Sequence, residues 1–138
     1  MTPKQQVRIR IESRSGEENV ILQADGLLYP KGDHFYIRYE EEASEMGRTV
    51  TMMKLESGQA RIIRQGDVQS EQTFVPNEKR VGFYQTAQGK LELEIHTYSY
   101  SHDLQNGFGT AAWNYDLYVA GGHAGRYHIK LWIETQEE

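Results

Sequence analysis

A chain of 138 residues with no cysteine and a formal net charge of -5 has the size of one domain built on one hydrophobic core. The missing cysteines exclude disulfides, thiolate metal sites, cysteine nucleophiles and CxxC redox chemistry, and they agree with a reducing cytosol. Mixed charges with an acidic excess argue against a nucleic-acid partner, which a basic stripe would announce. No stretch approaches the ~18 apolar residues of a membrane span, and Met1 to Gln6 form no apolar leader, so the expected setting is cytoplasmic, with no membrane partner.

Nearly every segment alternates with period two. Val7, Ile9 and Ile11 alternate with Arg8, Arg10 and Glu12, which predicts a half-buried strand. Beyond the turn at Ser15-Gly16-Glu17, Asn19 to Leu28 is the second strand, closed by Pro30-Lys31-Gly32-Asp33. Phe35, Ile37 and Tyr39 alternate with Tyr36, Arg38 and Glu40 in the third. The acidic run Glu40, Glu41, Glu42 and Glu45 reads as a solvated strand end and turn, and Glu40 to Gly47 has room for one helical turn. Thr49 to Leu55 and Gln59 to Arg64 flank the hairpin signal Glu56-Ser57-Gly58. Val68 to Phe74 is a more polar strand after Gln65-Gly66-Asp67, broken by Pro76-Asn77. Val81 to Thr86 and Lys90 to Tyr100 surround Ala87-Gln88-Gly89. Ala111 to Val119 puts Trp113, Tyr115, Leu117 and Val119 on one face. Arg126 to Glu134 does the same with Tyr127, Ile129, Leu131 and Ile133, and Thr135 to Glu138 is a polar tail.

About ten strands joined by short turns read as a meander of antiparallel hairpins over residues 1–138, with no repeat or linker to mark a second domain. An open sheet of that width would expose two edges and strain against its own twist. Closure removes both, which predicts an all-β, closed, up-and-down antiparallel β-barrel of about eight to ten strands.

In several segments the chain resembles the YwiB-like family of bacterial proteins of unknown function (DUF1934). They are Val7 to Ile11, Ala24-Asp25-Gly26, Tyr36 to Glu42, Ile62-Ile63-Arg64-Gln65-Gly66, Gln72-Thr73-Phe74, Gly89-Lys90-Leu91-Glu92-Leu93 with Thr97, and Tyr115-Asp116-Leu117-Tyr118-Val119. The resemblance implies a calycin-type barrel, related in shape to lipocalins and fatty-acid-binding proteins, and a Gram-positive source. It carries over no catalytic residue. Both tryptophans, Trp113 and Trp132, fall late in the chain, away from the lipocalin Gly-x-Trp position near the first strand.

No motif assigns catalysis, a metal or a cofactor. His96, Tyr98, Tyr100 and His102 would share a face on a regular strand, but the two imidazoles would then stand about 20 Å apart, too far for one metal. His123 and His128 straddle a strand start, and His34 sits alone in a turn. Asn106-Gly107-Phe108-Gly109 and Ala120-Gly121-Gly122-His123 open no helix and read as turns rather than phosphate loops. Glu92 and Glu94, roughly 6.6 Å apart along one face, read as solvated.

Nine tyrosines, four phenylalanines and two tryptophans remain to be placed. They either fill the barrel, which is the first expectation, or line a site for an apolar or amphipathic small molecule. In the second case Arg64, Tyr84, Trp113, Tyr115 and Tyr127 are the candidate binding residues. Arg64 shares a face with Ala60 and Ile62 at a strand end, where exposure is the first expectation. Turned inward, it would need an anionic partner. The alternative to ligand binding is a protein-interaction or homodimerisation surface on the outer wall, built on Tyr98, Tyr100, Tyr118 and Trp132.

Overall fold

The computed structural model describes residues 4–41 and 47–136. Glu42 and Glu45 of the acidic run, most of the segment read as a helical turn, and the last two residues of the tail lie outside the described residues. Ten strands follow in chain order: β1 (Gln5–Ser15), β2 (Glu18–Lys31), β3 (His34–Glu41), β4 (Thr49–Leu55), β5 (Ala60–Gly66), β6 (Gln69–Phe74), β7 (Lys79–Thr86), β8 (Gly89–Gln105), β9 (Phe108–Val119) and β10 (Gly122–Thr135). Each pairs antiparallel with its sequence neighbours, and β1 closes the ring on β10 with Ile9 opposite Ile133. Among the described residues no helix is long and apolar enough to cross a membrane.

Alternation decides which side chains enter the barrel. Val7 and Ile9 of β1, Leu28 of β2, Ile37 and Tyr39 of β3, and Met53 and Leu55 of β4 are buried, while Arg8, Arg10 and Arg14 stand on the outer wall. Phe74, Ile95, Trp113, Leu131 and Ile133 complete the core from the other side. Their rings interlock: Phe74 lies 5.5 Å from Trp113 and 4.8 Å from Tyr115, centroid to centroid. At about 25 cal/mol per Å² of apolar surface, burial of these large side chains is the main force holding the closed form.

The two ends of the barrel differ. At one, β8 and β9 extend to a two-residue turn at Asn106 and Gly107, both at positive φ (56° and 88°), as a right-twisted hairpin favours. Gly107 is buried there, against Leu28 and Phe35, so this turn folds onto the core and closes that end. The turn was legible, but β8 and β9 are longer than the alternation suggested. The added stretch Ser101 to Gln105 alternates only weakly, with His102 and Leu104 half-buried. The opposite end carries the last residues of β1, β3 and β5 and the first of β4 and β10.

Two bulges break the period. One falls in β8 between Thr97 and Ser99, the other in β10 between His123 and Gly125. The first corrects an expectation. Tyr98 is an extra residue, so it stays on the outer wall with His96, while Tyr100 turns inward to pair with Trp113 at a 6.0 Å ring distance. The four residues His96, Tyr98, Tyr100 and His102 therefore do not share a face.

Candidate functional site

A cavity of about 190 Å³ lies inside the barrel, towards the end opposite the β8–β9 turn. Its apolar wall comes from Met53, Ile62, Phe74, Trp113 and Ile129, and its polar groups from Ser13, Tyr39, Arg64, Gln72 and Tyr115. The barrel is thus mostly filled by its rings, with one space left among them. Other depressions, such as the groove of about 730 Å³ beside Tyr29, Tyr36 and Met52, are wider and lie on the outer wall.

Arg64 is the central polar group of the cavity. Strand alternation sends it inward two residues beyond Ile62, and its side chain is only 17 % exposed, so the expectation of exposure at the strand end is overturned. The anion it requires is Glu41, whose side chain is 5 % exposed and whose Oε1 lies 3.7 Å from Arg64 Nε. Glu41 was read with the solvated acidic run. It belongs instead to the inward series Ile37, Tyr39, Glu41 of β3, and extending the alternation by two residues would have found it. Thr51, its diagonal neighbour on β4, donates to Glu41 Oε1 at 2.7 Å. Tyr39 stands between these groups, and burial, reinforced by the Glu41 charge, holds its phenol well above the usual tyrosine range. Tyr115 is raised in the same way, first by burial and then by its neighbour Tyr127. Both hydroxyls are therefore protonated, and both can donate.

Two donors of residues on the cavity wall have no hydrogen-bond partner among the described residues: Arg64 Nε and Trp113 Nε1. The Arg64–Glu41 contact is an ion pair, too long for a hydrogen bond. Buried donors are ordinarily paired, and an unpaired one costs about 1–3 kcal/mol. That both belong to residues lining one small space is the strongest chemical signal of the interior.

Of the candidates named from the sequence, Arg64, Trp113 and Tyr115 meet at this cavity. Tyr127 stacks on Tyr115 at 5.4 Å with planes 19° apart, directly behind the wall. Tyr84 pairs with Ser70 and Leu91 on the neighbouring wall and is not among the residues lining the space.

The outer wall holds a second polar cluster that no sequence pattern announced. Asp116 of β9 is 5 % exposed although it points outward, because Arg126, Tyr98 and His123 cover it. Arg126 Nε donates to Asp116 Oδ1 at 3.0 Å, Tyr98 donates to Oδ2, and the Arg126 guanidinium lies over the Tyr98 ring. The hydrogen bonds from Arg126 and Tyr98 hold the Asp116 carboxyl well below the usual carboxylate range. Every polar group in this cluster finds a partner within it. It links the two bulges, since Tyr98 is the extra residue of one and His123 borders the other.

The remaining aromatics do not form one surface patch. Trp132 lies under Arg10 and Lys130, each 4.9 Å from its ring centroid, and Tyr118 sits between His96 and His123. His34 is not alone, since its Nδ1 meets Glu56 at 3.0 Å. No group of three metal-ligating side chains comes together among the described residues.

Residues 6–131 match the family described as a domain of unknown function, DUF1934. The chain belongs to this family. It is 30% identical over 113 residues to the uncharacterised beta-barrel protein YwiB of Bacillus subtilis (strain 168), an alignment that covers 82% of this chain and 79% of that protein. The crystal structure of the ywiB protein from Bacillus subtilis superposes with a TM-score of 0.82 at 22% identity, over 97% of this chain and 94% of that one. The two share the closed barrel.

Proposed function

We propose that this barrel is a binding protein for a small amphipathic molecule, held in the cavity beside Arg64, with no chemistry done on it. The observation that carries this reading is a pair of buried donors, Arg64 Nε and Trp113 Nε1, unpartnered among the described residues and carried by two residues that line one space between aromatic rings. Apolar walls with a few convergent polar groups are the usual make-up of small-molecule sites. The size of the space sets a limit. Most drug-sized ligands need roughly 300–1,000 Å³, so about 190 Å³ suits a smaller guest.

The test is native mass spectrometry of the protein purified without denaturation from its own host, followed by the indole N–H resonance of Trp113 in the stripped protein. A co-purifying small molecule whose removal shifts that resonance supports the reading. A protein that carries nothing, and whose Trp113 resonance ignores a broad panel of small amphiphiles, overturns it.

A further inference from the structure

We propose that the guest is a monocarboxylate with a compact apolar body, its head group received by the face of Arg64 that Glu41 leaves free. This deepens the binding reading above and rests on it.

Donor and acceptor capacity around the cavity is unequal. Ser13, Tyr39, Gln72 and Tyr115 each bring both donor and acceptor capacity, whereas Arg64 and Trp113 only donate, and the N–H groups of Arg64 Nε and Trp113 Nε1 are unpaired among the described residues. Glu41, the strong acceptor nearby, already receives Thr51. A surplus of donors selects a head group that only accepts, and an ionised carboxylate has two such oxygens and no donor. An alcohol or amine would set its own hydrogen against these donors.

The Arg64–Glu41 distance makes the same point from the other side. Glu41 occupies the Nε side of Arg64 at 3.7 Å and neutralises the guanidinium, so the edge that remains open to a second carboxylate is the one formed by the two Nη groups. Because the pair is neutral, one added negative charge leaves the site with a single excess charge beside several donors. A dicarboxylate or phosphate dianion would place two in a space of low polarity, at a steeply higher desolvation cost.

Size sets the apolar body. A cavity of about 150 Å³ lined by aliphatic and aromatic side chains accepts benzene. The 190 Å³ here, walled by Phe74, Trp113 and Met53, therefore takes one ring or a short chain plus a carboxylate, and not a long-chain fatty acid.

Titration calorimetry of the full chain with benzoate, hexanoate, benzyl alcohol, 1-hexanol, phthalate and palmitate tests this, with the Trp113 indole resonance as the structural readout. Benzoate or hexanoate should bind at least about ten-fold tighter than the matching alcohol, the worth of one charge-assisted hydrogen bond. Phthalate and palmitate should bind more weakly than either. Arg64→Met should abolish the preference for acid over alcohol. Arg64→Lys, which keeps a cation opposite Glu41 and so preserves the fold, should reduce it about ten-fold by removing the fork. Alcohols that bind as tightly as their acids would overturn the head group while leaving the cavity reading intact. Tight palmitate binding would overturn the size limit. If none of the six moves the Trp113 resonance, the binding reading itself loses its support.

Discussion

Arg64 Nε faces Glu41 Oε1 at 3.7 Å inside the barrel, a buried ion pair that leaves the Nε hydrogen of the arginine without a hydrogen-bond acceptor among the described residues. Such a pair costs desolvation on both sides, and the attraction across it offsets that cost only while both partners are present. Arg64→Met should therefore destabilise the fold by about 2–3 kcal/mol, towards the low end for a buried pair because Arg64 keeps some contact with solvent. Arg64→Met with Glu41→Gln should recover at least half of that loss, since neither charge is then stranded. Urea denaturation of the four proteins in the double-mutant cycle measures the coupling. A loss in the double variant equal to the sum of the two single losses would show that the pair is not coupled.

Gly107 gives a sharper stability test at the other end. Its φ is +88°, and a Cβ there would come within 2.6 Å of Leu28 Cδ2 and 3.0 Å of Phe35 Cδ1. Gly107→Ala combines left-handed strain of about 1–2 kcal/mol with overpacking of the closed end. Gly121→Ala, at φ +85° with nothing within 4 Å of the added atom, isolates the strain. The first should lower the thermal midpoint clearly more than the second, and equal shifts in calorimetry would refute the plug formed by the β8–β9 turn.

The legibility of this molecule in its sequence follows from the same physics. Period-two alternation located all ten strands because each separates a core face from a solvated one, as Val7 and Ile9 do from Arg8 and Arg10. It misplaced Tyr100, because a one-residue bulge at Tyr98 reverses every later side chain and leaves no trace in composition. Arg64, Trp113 and Tyr115, named as candidates from type and position, line the cavity. Glu41 was hidden by its acidic neighbours, although the face it shares with Ile37 and Tyr39 was readable. Asp116 was not readable at all. Its burial is made by residues of the two flanking strands, β8 and β10, whose meeting depends on register and on both bulges.

Alkaline titration follows from the buried phenols. Tyr39, Tyr100 and Tyr115 all have folded-state values raised above the ordinary 10.0, chiefly by burial. Raised phenol values favour the folded state while the unfolded tyrosines are neutral, and that advantage is lost as pH climbs beyond 10.0 and the unfolded chain ionises. Stability should therefore fall above that pH. Ultraviolet titration should show a group of tyrosines that ionise only as the near-ultraviolet circular dichroism of the fold collapses. Smooth ionisation of all nine before any loss of structure would contradict the burial of these three.

Asp116 sets the acid side. Its folded-state value is depressed below the ordinary 3.8 by Arg126 and Tyr98, so its contribution is present above 3.8 and disappears as pH falls through the folded value. Asp116→Asn should cost about 1 kcal/mol near neutral pH, a modest figure because Arg126 and Tyr98 are themselves well exposed. The gap between variant and parent should narrow in acid, where the parent carboxyl also becomes neutral. The same substitution should release Tyr98 from its bulge, which amide hydrogen exchange at residues 97 to 99 would detect as faster opening. The sign of the pH dependence separates a charge-held bulge from one kept by strand geometry alone. An unchanged gap between variant and parent from neutral to strongly acidic solution would mean that the backbone, not the carboxylate, fixes the bulge.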